Sequence, residues 1–347
     1  MLIAPNGPRL LRLFASALFL ALAGSATQAA VAANPGCALG TQAVHFALPD
    51  TAKNFRTGWH LKVSIAGGKE RSVQIDTGSI GFVVGRNAVG PHAVGPLGAG
   101  RQEYTSNGLI LLGHYYRAPV TFEAGTARAT TAPVTLLAVE QLACDQKYPK
   151  CSVRGRSAQS VGVLGVGFAR KESIGSNAFL QIAAMQNGGM HAGYIVAEDA
   201  ITLGLTPQNS RGFQFISLTR GPHDWLGAPA CFGFRGKPGY AHMCGTILVD
   251  TGLASMIVSR AESLRPPDIK TAIPDGTPIE IAAPAFERPI MHYRFSVGDR
   301  GPLSPTSIRW SSAAGNGAFV NTGRNVIRGY DYLYDAKCGR VGFRARN

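Results

Sequence analysis

The pattern of apolar and polar positions reads as strand far more often than helix. In "HLKVSIAGG" Leu61, Val63 and Ile65 alternate with polar residues until Gly67 and Gly68, and "ERSVQID" resumes with Val73 and Ile75. Period-two alternation stopped by paired glycines predicts a hairpin followed by a turn. "GLILLGHYYRAPVTF" predicts another strand pair pivoting near Gly113, and "SVGVLGVGF" a buried strand bracketed by glycine. One segment has helical spacing. In "SNAFLQIAAMQNGG" Asn177 is placed to cap, Phe179, Leu180, Ile182, Ala183 and Met185 to line the buried side, and Gly188-Gly189 to stop the helix. "AGYIVAED" and "AITLGLTP" return to strand. After residue 210 strands alternate with Gly/Pro turns, and "SLRPPDIKTAIPDGTPIEIAAPAFERP" predicts loops and short edge strands.

Two of these strands run into the same triplet. Residues 72–86 read "SVQIDTGSIGFVVGR" and residues 246–260 read "TILVDTGLASMIVSR". Each copy follows an apolar strand, opens a turn and has an Arg ten positions after its Asp. Asp76 and Asp250 are 174 residues apart, the size of one domain. An internal duplication explains this: two similar lobes, each presenting one copy. A single Asp-Thr-Gly is made of ordinary turn residues and arises easily by chance; two copies in matched settings do not.

Composition narrows the class. Of 347 residues, 45% are hydrophobic and 16% charged, a globular rather than disordered balance, and 43 Gly with 21 Pro favour a turn-rich β fold. The first residues differ. Arg9 and Arg12 precede the short apolar run Leu13–Gly24, and small residues follow, so residues 1–32 read as a secretory signal peptide cut at Ala30-Val31-Ala32 or near Ala29. The run is too short to span a bilayer, and no later stretch has the length of apolar residues a span needs. The net charge of +14 falls to +12 without that segment. Its positive residues are scattered, as in "RGRS", "ARKES" and "GFRARN", which fits a solvated surface and gives no sign of nucleic-acid recognition.

Six cysteines in an exported chain imply disulfides, with fifteen pairings open. Cys144 and Cys151 flank "DQKYPK" and can close a small loop, and Cys231 and Cys244 flank a Gly-rich hairpin-like stretch. Cys37 and Cys338 remain. With no CxxC, CxxH or HExxH, no metal site and no cofactor are expected.

The repeat has a chemistry of its own. Two lobes related by a pseudo-twofold bring Asp76 and Asp250 face to face. Their carboxyls cannot both ionise at contact, so they share one proton at intermediate pH. One then takes a proton from a water while the other polarises a carbonyl, which is acid–base hydrolysis without metal or covalent intermediate. Gly78 and Gly252 let backbone N–H groups approach the carboxyls, and Thr77 and Thr251 can offer hydroxyls to the opposite lobe.

With "VQIDTGSIGFVV", "ILVDTGLASMIV", "GVLGVG" followed by the Phe179 segment, and the closing "NVIRGYDYLYDAKCGRVGFR", the chain resembles the pepsin-like family of aspartic proteases, as a divergent, bacterial-type member. The likeness runs in patches over residues 55–345. It implies an all-β, bilobal fold of two pseudo-twofold-related β lobes with a few short helices, residues 33–200 forming the first lobe with the flap and 201–347 the second. It implies that Asp76 and Asp250 are the catalytic pair, that Thr77 and Thr251 interlock, and that Ser79 hydrogen-bonds the first aspartate. "EYTSNGLILLGHYY" occupies the place of the family's flap hairpin, where Tyr104 matches the Tyr that closes over substrate; an ordinary strand aromatic is the plain alternative. Val163-Leu164-Gly165 matches the strand beneath the first Asp loop. The family's terminal strands meet below the cleft, which favours a Cys37–Cys338 bridge.

The departures are specific. Leu253 stands where the family has Ser or Thr, which removes a hydroxyl donor from Asp250 and predicts an optimum milder than strongly acidic. Val83 stands where the family has a Trp supporting the flap. Asn321-Thr322-Gly323 is more polar than the usual apolar pair, and the stretch before the first strand near Val44 is too short for a typical inhibitory prosegment. The expected function is a secreted or periplasmic, monomeric aspartic endopeptidase acting on peptide or protein. The second reading is a non-catalytic relative whose cleft binds a peptide, polysaccharide or enzyme. Degenerate members lose an aspartate or its Gly, and this chain keeps both. A serine hydrolase is unsupported, since no G-x-S-x-G occurs.

Overall fold

The computed structural model describes residues 37–104, 107–169, 174–236, 243–261, 263, 265, 269, 271–312 and 317–346. The predicted signal peptide lies outside them. Three sheets carry the fold, built from strands whose buried positions mostly alternate or, in central strands, run unbroken.

A nine-stranded sheet runs, edge to edge, Ala99–Tyr104, Leu109–Ala118, Val134–Cys144, Ile80–Gly85, Gly162–Val166, Arg71–Asp76, His60–Ile65, Val120–Ala124 and Ala127–Thr130. A seven-stranded sheet runs Ile308–Ser312, Met256–Arg260, Ala318–Asn321, Met243–Leu248, Ala228–Phe234, Pro278–Ala283 and Met291–Ser296. The second repeats the last seven strands of the first with the same sequence of senses. Ile80–Gly85 and Met256–Arg260 each pair parallel on one side and antiparallel on the other. Arg71–Asp76 and Met243–Leu248 each pair parallel with the strand beneath the loop. These are the two lobes of a bilobal pepsin-like fold, and the hairpin Ala99–Ala118 is what the first adds.

The third sheet has six strands, in the order Val44–Ala47, Ala200–Leu203, Gly193–Ala197, Tyr330–Asp335, Arg340–Ala345 and Gln214–Ser217. It takes strands from both ends of the chain. A run of ring contacts ties it to the first lobe: Phe122 to Phe179, Phe179 to Tyr194, Tyr194 to Tyr334, and Tyr334 stacked on Phe168 at 4.4 Å. Such pairs contribute about 0.5–1.5 kcal/mol each beyond burial. The Tyr194 hydroxyl donates to the Val166 carbonyl at 2.6 Å, so its one polar atom is satisfied in the core.

The structure differs from the sequence pattern in three places. The segment expected as one helix is a 3-10 turn, Ala178–Gln181, and a single α turn, Ala183–Gln186, parted at extended Ile182. Tertiary bonds divide it. Asn177 caps Phe179 but spends its amide on Val166, and Ala132 N–H donates to the Gln181 carbonyl beside a bridge from Thr131 to Ile182. Ala183, expected on the buried side, is exposed. Leu109–Ala118 is one strand with a bulge between Leu112 and Gly113, and the break falls at Pro119, which has no N–H to give. Finally, Pro278–Ala283 is an inner strand; its proline is the first residue, where the missing donor costs least.

The candidate active site

Asp76 ends the strand Arg71–Asp76, and Asp250 lies two residues past the end of Met243–Leu248. Both are buried, 9% and 5% exposed, at the floor of a cleft of about 710 Å³. The turns beneath them are locked to each other. Thr77 Oγ1 donates to the Val249 carbonyl at 2.6 Å, and Thr251 Oγ1 donates to the Ile75 carbonyl at 2.7 Å. Each threonine N–H donates to the other's Oγ1 at 3.0 Å. Every polar atom of this reciprocal set is paired where no water reaches, so breaking one leaves its partner unsatisfied.

The carboxyls are dressed in a similar but unequal way. Gly78 N–H donates to Asp76 Oδ1 at 2.7 Å, and Gly252 N–H to Asp250 Oδ1 at 2.8 Å. Both glycines face the opposite carboxyl so closely that a Cβ on either would collide with it. Ser79 Oγ donates to Asp76 Oδ2 at 2.6 Å. In the second loop Leu253 offers no hydroxyl, yet the position is not short of a donor. Asn321 Nδ2 donates to Asp250 Oδ2 at 2.6 Å from the strand beneath the loop. The polar Asn321-Thr322-Gly323 was the sequence signal for this residue, without the geometry to use it.

Arg324 was not singled out by the sequence pattern. It is 4% exposed and grips the second loop, with Nη2 donating to the Gly252 carbonyl at 2.9 Å and Nε to the Leu253 carbonyl at 3.1 Å. Burial lowers the guanidinium pKa, and the charges of Asp250 and then Asp76 oppose that. Burial first, then the charge of Asp76, pushes the Asp250 ionisation up to about 7. A titration this coupled belongs to the pair rather than to either carboxyl alone.

Tyr104 ends the outer strand of the flap-like hairpin and lines the cleft. Burial, then the charge of Asp76, raises its phenol above the usual value, so it stays a neutral donor. It packs beside Val83, Leu109, Leu111, Leu137 and Val139, so apolar packing stands where the family has an indole. Leu164 and Gly165 lie opposite Ile75 and Asp76, and the bare Gly165 lets the Ile80 backbone close over it. The cysteines join as Cys37–Cys338, Cys144–Cys151 and Cys231–Cys244. Among the described residues one group has metal-ligand spacing: His191, Asp335 and Cys338. The Cys338 sulfur is already committed to its disulfide. No helix among the described residues is long and apolar enough to cross a membrane.

A family model described as the PE-PGRS C-terminal aspartyl peptidase-like domain matches residues 50–227. Among solved structures, the aspartic proteinase from Irpex lacteus aligns over 88% of this chain and 98% of that one, with a TM-score of 0.57 at 11% identity. That likeness is one of fold. No curated protein matches the sequence.

Proposed function

Because the chain belongs to the PE-PGRS C-terminal aspartyl peptidase-like family, we propose that it is an exported aspartic endopeptidase using Asp76 and Asp250 as a shared-proton pair. The observation that carries the reading is the reciprocal threonine lock beneath two buried, donor-matched carboxyls at the floor of an open cleft. Nothing about a merely structural turn calls for that arrangement. An extended peptide lies in the cleft beneath the Tyr104 hairpin. The charged carboxylate takes a proton from a water held between the pair as the water oxygen bonds to the scissile carbonyl carbon, and the protonated carboxyl gives its proton to the carbonyl oxygen. The diol then collapses: the C–N bond breaks, the proton taken from water passes to the amine nitrogen, and one diol hydroxyl returns its proton to the pair.

The test is incubation of the mature protein with a denatured protein substrate across about pH 3–7. Wild type is expected to cleave, and Asp76→Asn and Asp250→Asn to lose activity by about a thousandfold or more. Equal inertness of all three proteins would overturn the proposal and leave the cleft as a binding site.

A further inference from the structure

The duplicated sheets can be compared position by position on either side of the carboxyl pair. Val83 and Ile257 each stand seven positions after an aspartate. In the first lobe Val83 lies in register between Val163 and Leu137. In the second, Ile257 lies between Asn321 and Arg309. Two positions further on, Gly85 pairs with Val139, whereas Ser259 pairs with Ser311. The first-lobe face is apolar and covered, because Leu109 and Leu111 of the hairpin pack with Val83, Leu137 and Val139. The second-lobe face opens on the cleft, and Ile257, Ser259, Arg309 and Ser311 line it. Residues two apart on a strand share a face, so Ser259 and Ile257 look the same way, as do Ser311 and Arg309. Ser259 is only 6% exposed, and among the described residues no hydrogen bond reaches its hydroxyl. A buried hydroxyl on a cleft wall takes its hydrogen bond from whatever fills the cleft. Charge points the same way. Among the described residues lining the cleft, Glu103 is the one acid outside the pair, and Arg101 Nη2 donates to its Oε2 at 2.9 Å. Arg156 and Arg309 are the cations.

We propose that Arg309, with Ser259 and Ser311 beside it, forms a specificity-determining subsite that takes the carboxylate of a substrate Glu or Asp on the second-lobe side of the scissile bond. Under the endopeptidase reading, on which this rests, the substrate is a peptide with an apolar residue toward Ile80, Leu109 and Val163 and an acidic one toward Arg309. A guanidinium has five N–H donors, so it can hold a neighbour and still present a fork to a carboxylate. The two hydroxyls donate to the same group. Distance decides whether the aspartate pair spoils the attraction. Asn321 bonds Asp250, and Arg309 lies two strands beyond Asn321. At about 4.8 Å per strand, a carboxylate at Arg309 stands roughly 10 Å from the pair. It stands about 3–4 Å from the guanidinium, so attraction exceeds repulsion roughly threefold at equal dielectric. Water in the open cleft screens the longer interaction more. A Gln in that place keeps the shape and loses the charge, and a Lys sets a like charge against Arg309.

The experiment uses decapeptides that differ only in their central pair: Phe-Glu, Phe-Gln and Phe-Lys, and the reversed Glu-Phe, Gln-Phe and Lys-Phe. Cleavage by the mature protein is followed at about pH 5.5, where a glutamate side chain is charged. In one order, and only one, the Glu peptide is expected to exceed Gln in kcat/KM by about tenfold and Lys by about a hundredfold. Arg309→Gln is expected to bring Glu and Gln within about twofold of each other, and Ser259→Ala to slow the Glu peptide by about threefold or more. A wild type without Glu preference in either order overturns the proposal, as does an Arg309→Gln protein that keeps the full preference. Should Arg309→Gln fail to fold, the wild-type ranking and Ser259→Ala decide, and an unchanged Ser259→Ala rate counts against the subsite. Calorimetry of the same peptides on Asp76→Asn separates the two readings. A protein that cleaves nothing yet binds one Glu peptide about tenfold tighter than its Lys partner loses only the endopeptidase reading. One that cleaves all six peptides alike loses only the subsite, and one that neither cleaves nor binds them loses both.

Discussion

A buried carboxyl whose ionisation is raised makes stability depend on pH in a definite direction. The Asp250 ionisation is raised above that of an unfolded carboxylate, by burial and by Asp76. The stabilisation from the bound proton is therefore complete below the unfolded value, near pH 4, and is lost as pH rises through about 7. Asp76→Asn removes the repulsion and suits its site, because its Oδ1 can still accept from Gly78 while its NH₂ donates to a turned Ser79 hydroxyl. Wild-type melting temperature should fall between about pH 4 and 7, and that of Asp76→Asn should fall less, because the repulsion is gone while the burial of Asp250 remains. Parallel curves for the two proteins would show that the charge of Asp76 adds nothing to the shift. Threonine 251 gives a second check: Thr251→Val strips the hydroxyl that serves Ile75 and Thr77. A loss of about 1–3 kcal/mol in chemical unfolding is expected. At this scale Asp76, Asp250 and their threonines were legible because each triplet is local in the chain. Asn321 was not, since it reaches Asp250 from 71 residues away and only the register of Leu248 with Asn321 brings them together.

The element most exposed to perturbation is the hairpin over the cleft. Tyr104 carries its turn, accepting the N–H groups of Asn107 and Gly108 at 3.1 and 2.8 Å. Gly108 sits at φ +76°, and the ring of Tyr148, from the loop closed by Cys144–Cys151, lies where a Cβ would be. The disulfide loop thus braces the hairpin through a glycine. Gly108→Ala meets both backbone strain and that ring, and is expected to cost about 1–3 kcal/mol and to speed amide exchange along 107–112. Unchanged exchange there would mean that the loop does not hold the hairpin. Strands and hairpins were readable because alternation is a local signature of a half-buried sheet. The Ala178–Gln186 segment misled because its apolar spacing is set by two separate contacts. Asn177 anchors one turn on Val166 while Gln181 and Ile182 meet Ala132 and Thr131 in the link between two strands, and those partners lie outside the segment.

For the whole molecule the decisive feature is how the chain's ends close the six-stranded sheet. Residues just before Val44–Ala47 meet the turn between Tyr330–Asp335 and Arg340–Ala345 through Cys37–Cys338, which closes a loop of 301 residues. A buried ion cluster sits beside it. Both ring nitrogens of His191 lie within hydrogen-bond reach of an oxygen, the Ala38 carbonyl at 3.0 Å and Asp335 Oδ1 at 2.7 Å. Burial alone would raise Asp335, but His191, the Cys338 N–H and Arg340 outweigh it and hold the carboxyl below its usual range. The ends are therefore held twice, by a covalent link and by a charge network. Their shares can be separated. In the chain-entropy view a loop this long is worth about 6 kcal/mol at most, and the network keeps part of that constraint when the link is cut. Cys37→Ser with Cys338→Ser should lower unfolding stability by about 2–5 kcal/mol. Adding His191→Leu should lower it further, because Asp335 is then left buried with fewer donors. A double cysteine variant as stable as wild type would mean that the network alone fixes the ends. A His191→Leu addition without effect would mean the reverse, and the sheet beneath the cleft would then depend on its disulfide.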